Sequence, residues 1–155
     1  MRLTLWTDYA LRTLIYVGTK EAATPGNAGL STIAEIARSY AISRTHLMKV
    51  VNQLSQLGLL EATRGKGGGL RLARPAAEIG VGDVVRSMEK EHEVVGCLRR
   101  SGFCRIERCC VLKQTLQAAT RAFLQTLDRY TLADLLQPRS RLLRAFDLPQ
   151  GTASP

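Results

Sequence analysis

The sequence predicts a mainly α-helical chain with one small β-hairpin, and three observations predict it. Apolar residues recur at helical spacing in several segments. A single glycine-rich stretch, Arg64-Gly65-Lys66-Gly67-Gly68-Gly69, lies between two short runs with strand character. From Leu112 to Leu127 an apolar seam repeats at every third or fourth residue. With 155 residues, 45% of them hydrophobic, the chain is long enough for one core with an appended helical arm. The expected divisions are residues 1–80, 81–136 and a basic, flexible tail over 137–155.

Thr7 and Asp8 are capping residues for a first helix through about residue 19, with Leu11, Leu14, Ile15 and Gly18 at helical spacing. Pro25, Gly26, Asn27 and Gly29 mark a loop. Thr32-Ile-Ala-Glu35 has the pattern of a capping box, opening a short helix to about Tyr40. Ala41-Ile42 turn the chain, and Ser43 caps a further helix over residues 44–57 that Gly58 ends. Leu47, Val50, Val51, Leu54 and Leu57 form its apolar side.

The polar side of this second helix has two readings, a solvated face or a base-reading face. The stretch that follows favours the latter. Residues 59–63 and 70–73 form two short strands joined by the glycine-rich hairpin, a wing beside a helix-turn-helix. Residues at the start of the second helix of such a unit reach base edges. Ser43, Arg44, Thr45, His46, Lys49 and Asn52 are therefore the candidate reading residues. Arg64, Lys66, Gly67 and Gly68 are candidates for contact with the phosphate backbone or the minor groove. A nucleotide-cradling loop fits poorly, because the Walker spacing is absent and the glycines sit between strands rather than before a helix.

Charge agrees with a polyanionic partner. Lys and Arg total 22 against 13 acidic residues, a formal net charge of +9, with a pI near 10.0. Between Arg44 and Arg74 six basic residues face only Glu61. No apolar run approaches the roughly 18 to 20 residues of a membrane span, and the opening residues lack a signal peptide's apolar stretch. A cytoplasmic protein without a membrane partner is expected.

Beyond the wing, a short helix over residues 79–88 leads through a polar run to the cysteines. All 4 stand between Cys97 and Cys110. In a reducing compartment such clustered thiols are metal ligands or redox sensors before they are structural disulfides. An iron-sulfur cluster, zinc and unligated thiols all remain open on spacing alone, although the two CxxC pairs that would favour zinc are absent. Adjacent Cys109 and Cys110 are awkward as two ligands of one cluster. Arg99, Arg100, Arg105, Arg108 and Lys113 make the segment electropositive, a setting that suits thiolates. Farther on, Leu112, Leu116, Ala119, Phe123 and Leu127 form the seam of a helix too long to bury its stripe alone, and pairing with a second copy would cover it. Thr131-Leu-Ala-Asp134 opens another helical turn.

An enzyme using Cys104 or Cys109 would need a base and a pocket; His46 lies in the reading helix and His92 has no evident partner. A zinc-stabilised RNA-binding protein should show interleaved aromatics, yet aromatics make up only 5%.

Four motifs in order resemble the NsrR branch of the Rrf-type winged-helix regulators. They are residues 3–12 (Leu-Thr-Leu-Trp-Thr-Asp-Tyr-Ala-Leu-Arg), residues 43–54 (Ser-Arg-Thr-His-Leu-Met-Lys-Val-Val-Asn-Gln-Leu), residues 64–72, and residues 103–114 (Phe-Cys-Arg-Ile-Glu-Arg-Cys-Cys-Val-Leu-Lys-Gln). The resemblance extends to about Leu136. It implies a winged helix-turn-helix domain with a long dimerisation helix, and a homodimeric repressor that reads an inverted repeat in double-stranded DNA. It further implies an iron-sulfur cluster, 4Fe-4S in preference to 2Fe-2S, held by Cys97, Cys104 and Cys110, with Asp8 of the other subunit as fourth ligand. Nitric oxide, the implied signal, would attack the cluster iron and release the operator. In the related iron-sulfur-homeostasis regulator a histidine stands where this chain has Lys113, which favours the nitric oxide branch. Two departures stand out: six residues separate Cys97 from Cys104, more than the family pattern, and Cys109 is an additional thiol that leaves the third ligand open between neighbours.

Overall fold

The computed structural model describes residues 3–24, 29–65, 67–89, 104–106 and 109–149. The chain runs α1 (Leu5–Ala23), α2 (Ile33–Tyr40), α3 (Arg44–Gln56), β1 (Leu60–Thr63), β2 (Gly69–Leu72), α4 (Val81–Met88), α5 (Val111–Leu127), α6 (Leu132–Leu135) and α7 (Arg139–Ala145). It is a mainly helical fold with one antiparallel hairpin, as the periodicity and the glycine-rich stretch predict.

Helix α1 is the axis of the core. Ala10, Leu14 and Val17 are fully buried, and α3, α4, α6, α7 and β2 all pack on it. The cap differs from the expected one. Thr4, not Thr7 or Asp8, is the N-cap, and its hydroxyl accepts the Thr7 N–H. Three cap-competent side chains stand within five residues here, and Glu89 selects among them from the end of α4. Its Oε1 accepts the Thr4 N–H at 2.8 Å, the Thr4 hydroxyl at 3.0 Å and the hydroxyl of buried Thr7. A carboxylate at the positive end of a helix is favourable, and this one ties the start of α1 to the end of α4.

The helix-turn-helix forms as its local chemistry dictates. Thr32 and Glu35 make the reciprocal capping box. Lys20 pairs with Glu35 at 2.7 Å. Burial pushes the Glu35 carboxyl up, but Lys20 and the Thr32 donors outweigh it and hold the group below its ordinary value. Ala41 takes the left-handed conformation at φ 53, where its N–H reaches back to Arg38 and the Ile42 N–H to Ala37. Ser43 is the N-cap of α3 without a side-chain capping bond. At the other end Gly58, at φ 65, lets the Leu59 N–H bond Leu54 O and its own N–H bond Ser55 O. Leu47, Val50, Val51 and Leu54 anchor α3 in the core.

The wing pairs Leu60 with Leu72 through Thr63 with Gly69. Its strands are shifted by a residue at their ends from those expected. Ser31 adds a short bridge to Leu70 through two backbone bonds of 3.0 and 2.7 Å, so the hairpin has support on its inner edge. Leu70 points into the core while Glu61 and Arg71 pair across the exposed face at 2.6 Å.

The tail departs from expectation. Residues 139–145 are helical, Leu143 is buried, and Phe146 meets Tyr16 and Tyr40 at ring-centroid distances of 5.0 and 5.4 Å. Arg139 donates to the carbonyl of Ala22. The apolar residues between the arginines find an aromatic pocket made by α1 and α2. Residues 150–155 lie outside the described residues.

Candidate nucleic-acid interface and cysteine segment

Helix α3 turns one side inward through Leu47, Val50, Val51 and Leu54, and this fixes what faces outward. Ser43, Arg44, Thr45, His46, Lys49 and Asn52 are all exposed. At about 100° per residue, Thr45, Lys49 and Asn52 share the side opposite the core, with Arg44 at the leading end and His46 on the flank. Met48 lies on the flank between Arg44 and Asn52, 54% exposed and off the apolar side that the helical spacing predicts.

In the wing, Arg64 and Gly67 are exposed and Gly68 is partly buried. The Gly68 N–H bonds Gly65 O at 3.0 Å, closing the turn. A Cβ on Gly68 would stand 2.1 Å from the Thr63 carbonyl oxygen, so no other residue fits without moving the hairpin backbone. Lys66 lies outside the described residues. Arg71 is held by Glu61 through two hydrogen bonds, which sets it apart from Arg64.

The metal-ligand candidates are placed as follows. Cys97 lies outside the described residues. Cys104, Cys109 and Cys110 are free thiols. Cys110 is the N-cap of α5, its Sγ accepting the Lys113 N–H at 3.4 Å, whereas the Cys109 thiol donates to Ile106 O at 3.4 Å. The two neighbours therefore engage different backbone groups, and only Cys110 faces the positive end of a 17-residue helix. Asp8 is not a cap; its carboxylate accepts from Arg12 Nε at 2.8 Å. Arg12 in turn sits over the Tyr40 ring at 5.4 Å, and its bond to Asp8 holds the guanidinium above its ordinary pKa. Among the described residues no three His, Cys, Asp or Glu side chains are gathered to hold a metal ion. The donor chemistry itself, free thiols beside a basic segment, fits an iron-sulfur cluster.

Two connections go beyond the sequence pattern. Trp6 Nε1–H donates to Gln53 Oε1, joining the first turn of α1 to the last turn of α3. At the far end of α5, Arg86 bridges Asp83 and Asp128, and the Val81 N–H bonds Tyr130 O. The foot of α5 is thereby fixed to α4, while the helix buries none of its own residues. In the sequence Gln53 and Glu89 are legible only as polar residues, since their partners lie 47 and 85 positions away.

Among the described residues no helix is long and apolar enough to cross a membrane. Solved structures share the fold over most of the chain. T. potens IscR is 24% identical with a TM-score of 0.69, over 89% of this chain and 88% of its own. CymR (YrzC), the global cysteine regulator of B. subtilis, is 23% identical with a TM-score of 0.67, over 88% and 97%. The oxidised form of Staphylococcus aureus CymR is 28% identical with a TM-score of 0.64, over 85% and 93%. The family model described as Rrf2, iron-dependent transcriptional regulator, matches residues 3–138, and this chain belongs to that family of DNA-binding transcriptional regulators.

Proposed function

We propose that this chain is a homodimeric repressor whose grip on an inverted-repeat operator is set by an iron-sulfur cluster held at the cysteine segment, with nitric oxide as the signal. The observation that carries the reading is the Trp6–Gln53 bond, because it fastens the turn bearing Asp8 to the reading helix. In this reading Arg44, Thr45, Lys49 and Asn52 meet base edges, with Ser43 and His46 at the margins, while Arg64, Lys66, Gly67 and Gly68 meet the backbone. Cys97, Cys104 and Cys110 supply thiolates, and Asp8 reaches across from the other subunit. The separate engagement of the two neighbouring thiols supports Cys110 rather than Cys109 as the third ligand. When bound, the cluster supplies an iron at which nitric oxide can react, most readily where the ligand is a carboxylate rather than a thiolate.

The protein's own part is mechanical. Asp8 can act as a ligand through Oδ2 while Oδ1 keeps its bond to Arg12, and any shift of its turn is passed through Trp6 to α3. Half-sites read by a dimer lie one DNA turn apart, about 34 to 36 Å, so a small change in the placement of the two α3 helices alters operator fit. The apolar stripe of α5, exposed at Leu112 and half-buried at Leu116, Phe123 and Leu127, supplies the dimer seam.

The free thiols also favour a second reading, a regulator that answers to thiol oxidation or to cysteine supply without a cluster; the B. subtilis neighbour is a global cysteine regulator. Ligand variants separate the two. Cys97→Ser, Cys104→Ser and Cys110→Ser should each abolish iron loading in anaerobically prepared protein, and Cys109→Ser should keep it. Asp8→Asn should load iron but respond differently to nitric oxide. Iron retained by the Cys110 variant and lost by the Cys109 variant would reverse the third ligand. Parent protein that holds no iron, yet loses its operator on thiol oxidation, would establish the second reading.

A further inference from the structure

We infer that Met48 reads thymine, by placing its thioether side chain against the 5-methyl group at one position of each half-site. The inference rests on α3 being the DNA-reading helix. Single exposed apolar residues are common and by themselves mean little. Met48 differs because of where it stands. It is 54% exposed, one residue before Lys49 and one helical turn from Thr45 and Asn52, on the exposed flank of α3 between Arg44 and Asn52, beside buried Val51. That side carries hydrogen-bonding groups, and Met48 is the one large apolar group it presents among the described residues. The major groove has a matching asymmetry. Its base edges are hydrogen-bond donors and acceptors except for one apolar group, the thymine methyl. A long unbranched thioether is suited to meeting that methyl without a fixed approach angle, because it can adjust three torsions. Lys49 and Asn52 would then carry polar recognition, and Met48 would distinguish thymine from cytosine at a position that offers little to the neighbouring polar side chains.

The test uses the full-length protein and duplexes that it enriches from a random-sequence pool. Each thymine of a half-site is replaced singly by deoxyuridine, which deletes the methyl and keeps every hydrogen-bonding group. Parent protein should lose about fourfold in affinity at one thymine position per half-site, the value of one buried methyl. Met48→Ala should bind the thymine duplex more weakly by a similar factor or more and should no longer distinguish deoxyuridine there; Met48→Leu should still distinguish it. If parent protein is indifferent to every deoxyuridine, or Met48→Ala keeps the parent's discrimination, the inference is wrong while the DNA-reading role of α3 stands. Failure to enrich any sequence overturns that role and this inference together.

Discussion

In the proposed reading Arg44 and Lys66 carry the same charge into different tasks. Arg44 opens α3 on its exposed side, whereas Lys66 stands in the glycine-rich sequence between Gly65 and Gly67. Arg44→Ala should therefore relax sequence preference, costing about 1 to 3 kcal/mol on the enriched site and little on unrelated DNA. Lys66→Ala should weaken all sequences alike and lower the log-log salt slope by about one unit. Binding isotherms on both duplexes across a salt series decide it, and equal loss of specificity in the two variants would reject the division. At this scale the sequence is informative wherever a side chain acts on near neighbours. The Thr32–Glu35 box and the stop at Gly58 are readable because each is closed within a few residues. Asp8 reads as a cap, wrongly, because Thr4, Thr7 and Asp8 are all suited to capping, and the choice is made by Glu89 from 85 residues away. Met48 is already off the apolar side in the helical spacing, and the fold adds only how far it is exposed.

Among the elements, α7 shows what local pattern hides. Its arginines read as a solvated tail, yet Leu143 and Phe146 bind it to a ring cluster contributed by α1 and α2. Burial pushes the Tyr40 hydroxyl up to about 12, opposed by the charge of Arg12, and burial likewise raises Tyr16. A phenol whose folded pKa lies above the unfolded value near 10 contributes stability that is full below that value and is lost as pH rises through the folded pKa. Stability should therefore fall between about pH 10 and 12 as the cluster is forced to ionise. Tyr40→Phe should flatten this alkaline limb in denaturant midpoints measured against pH, and an unchanged limb would mean that Tyr40 ionises alike in the folded and unfolded chain. Secondary structure in α3 and the wing is legible in the sequence because burial period and turn chemistry agree there. The docking of α7 is not, because it depends on rings that the sequence brings together only through the fold.

For the whole molecule, α5 is the element that a single chain leaves unfinished. Its foot is fastened by Arg86 and Asp128, its head is capped by Cys110, and Val111 and Leu112 are 72% and 64% exposed. Most helical stability in proteins comes from packing an apolar face rather than from the helix itself, so a second copy covering the stripe would stabilise it. Leu112→Glu changes a residue that its own protomer scarcely covers, and should leave the fold intact while shifting the protein toward monomer in sedimentation equilibrium. Operator affinity should fall with it, since half-sites are then bound one at a time. The proposed coupling of a dimeric repressor to nitric oxide is tested most directly by titrating a fluorescent operator duplex with anaerobically purified protein, before and after nitric oxide, while recording visible absorption. An iron-thiolate spectrum and tight binding are expected at first, then loss of both in step as nitric oxide is added. Colourless protein with stoichiometric zinc, binding the operator equally with and without nitric oxide, would contradict a cluster-controlled repressor.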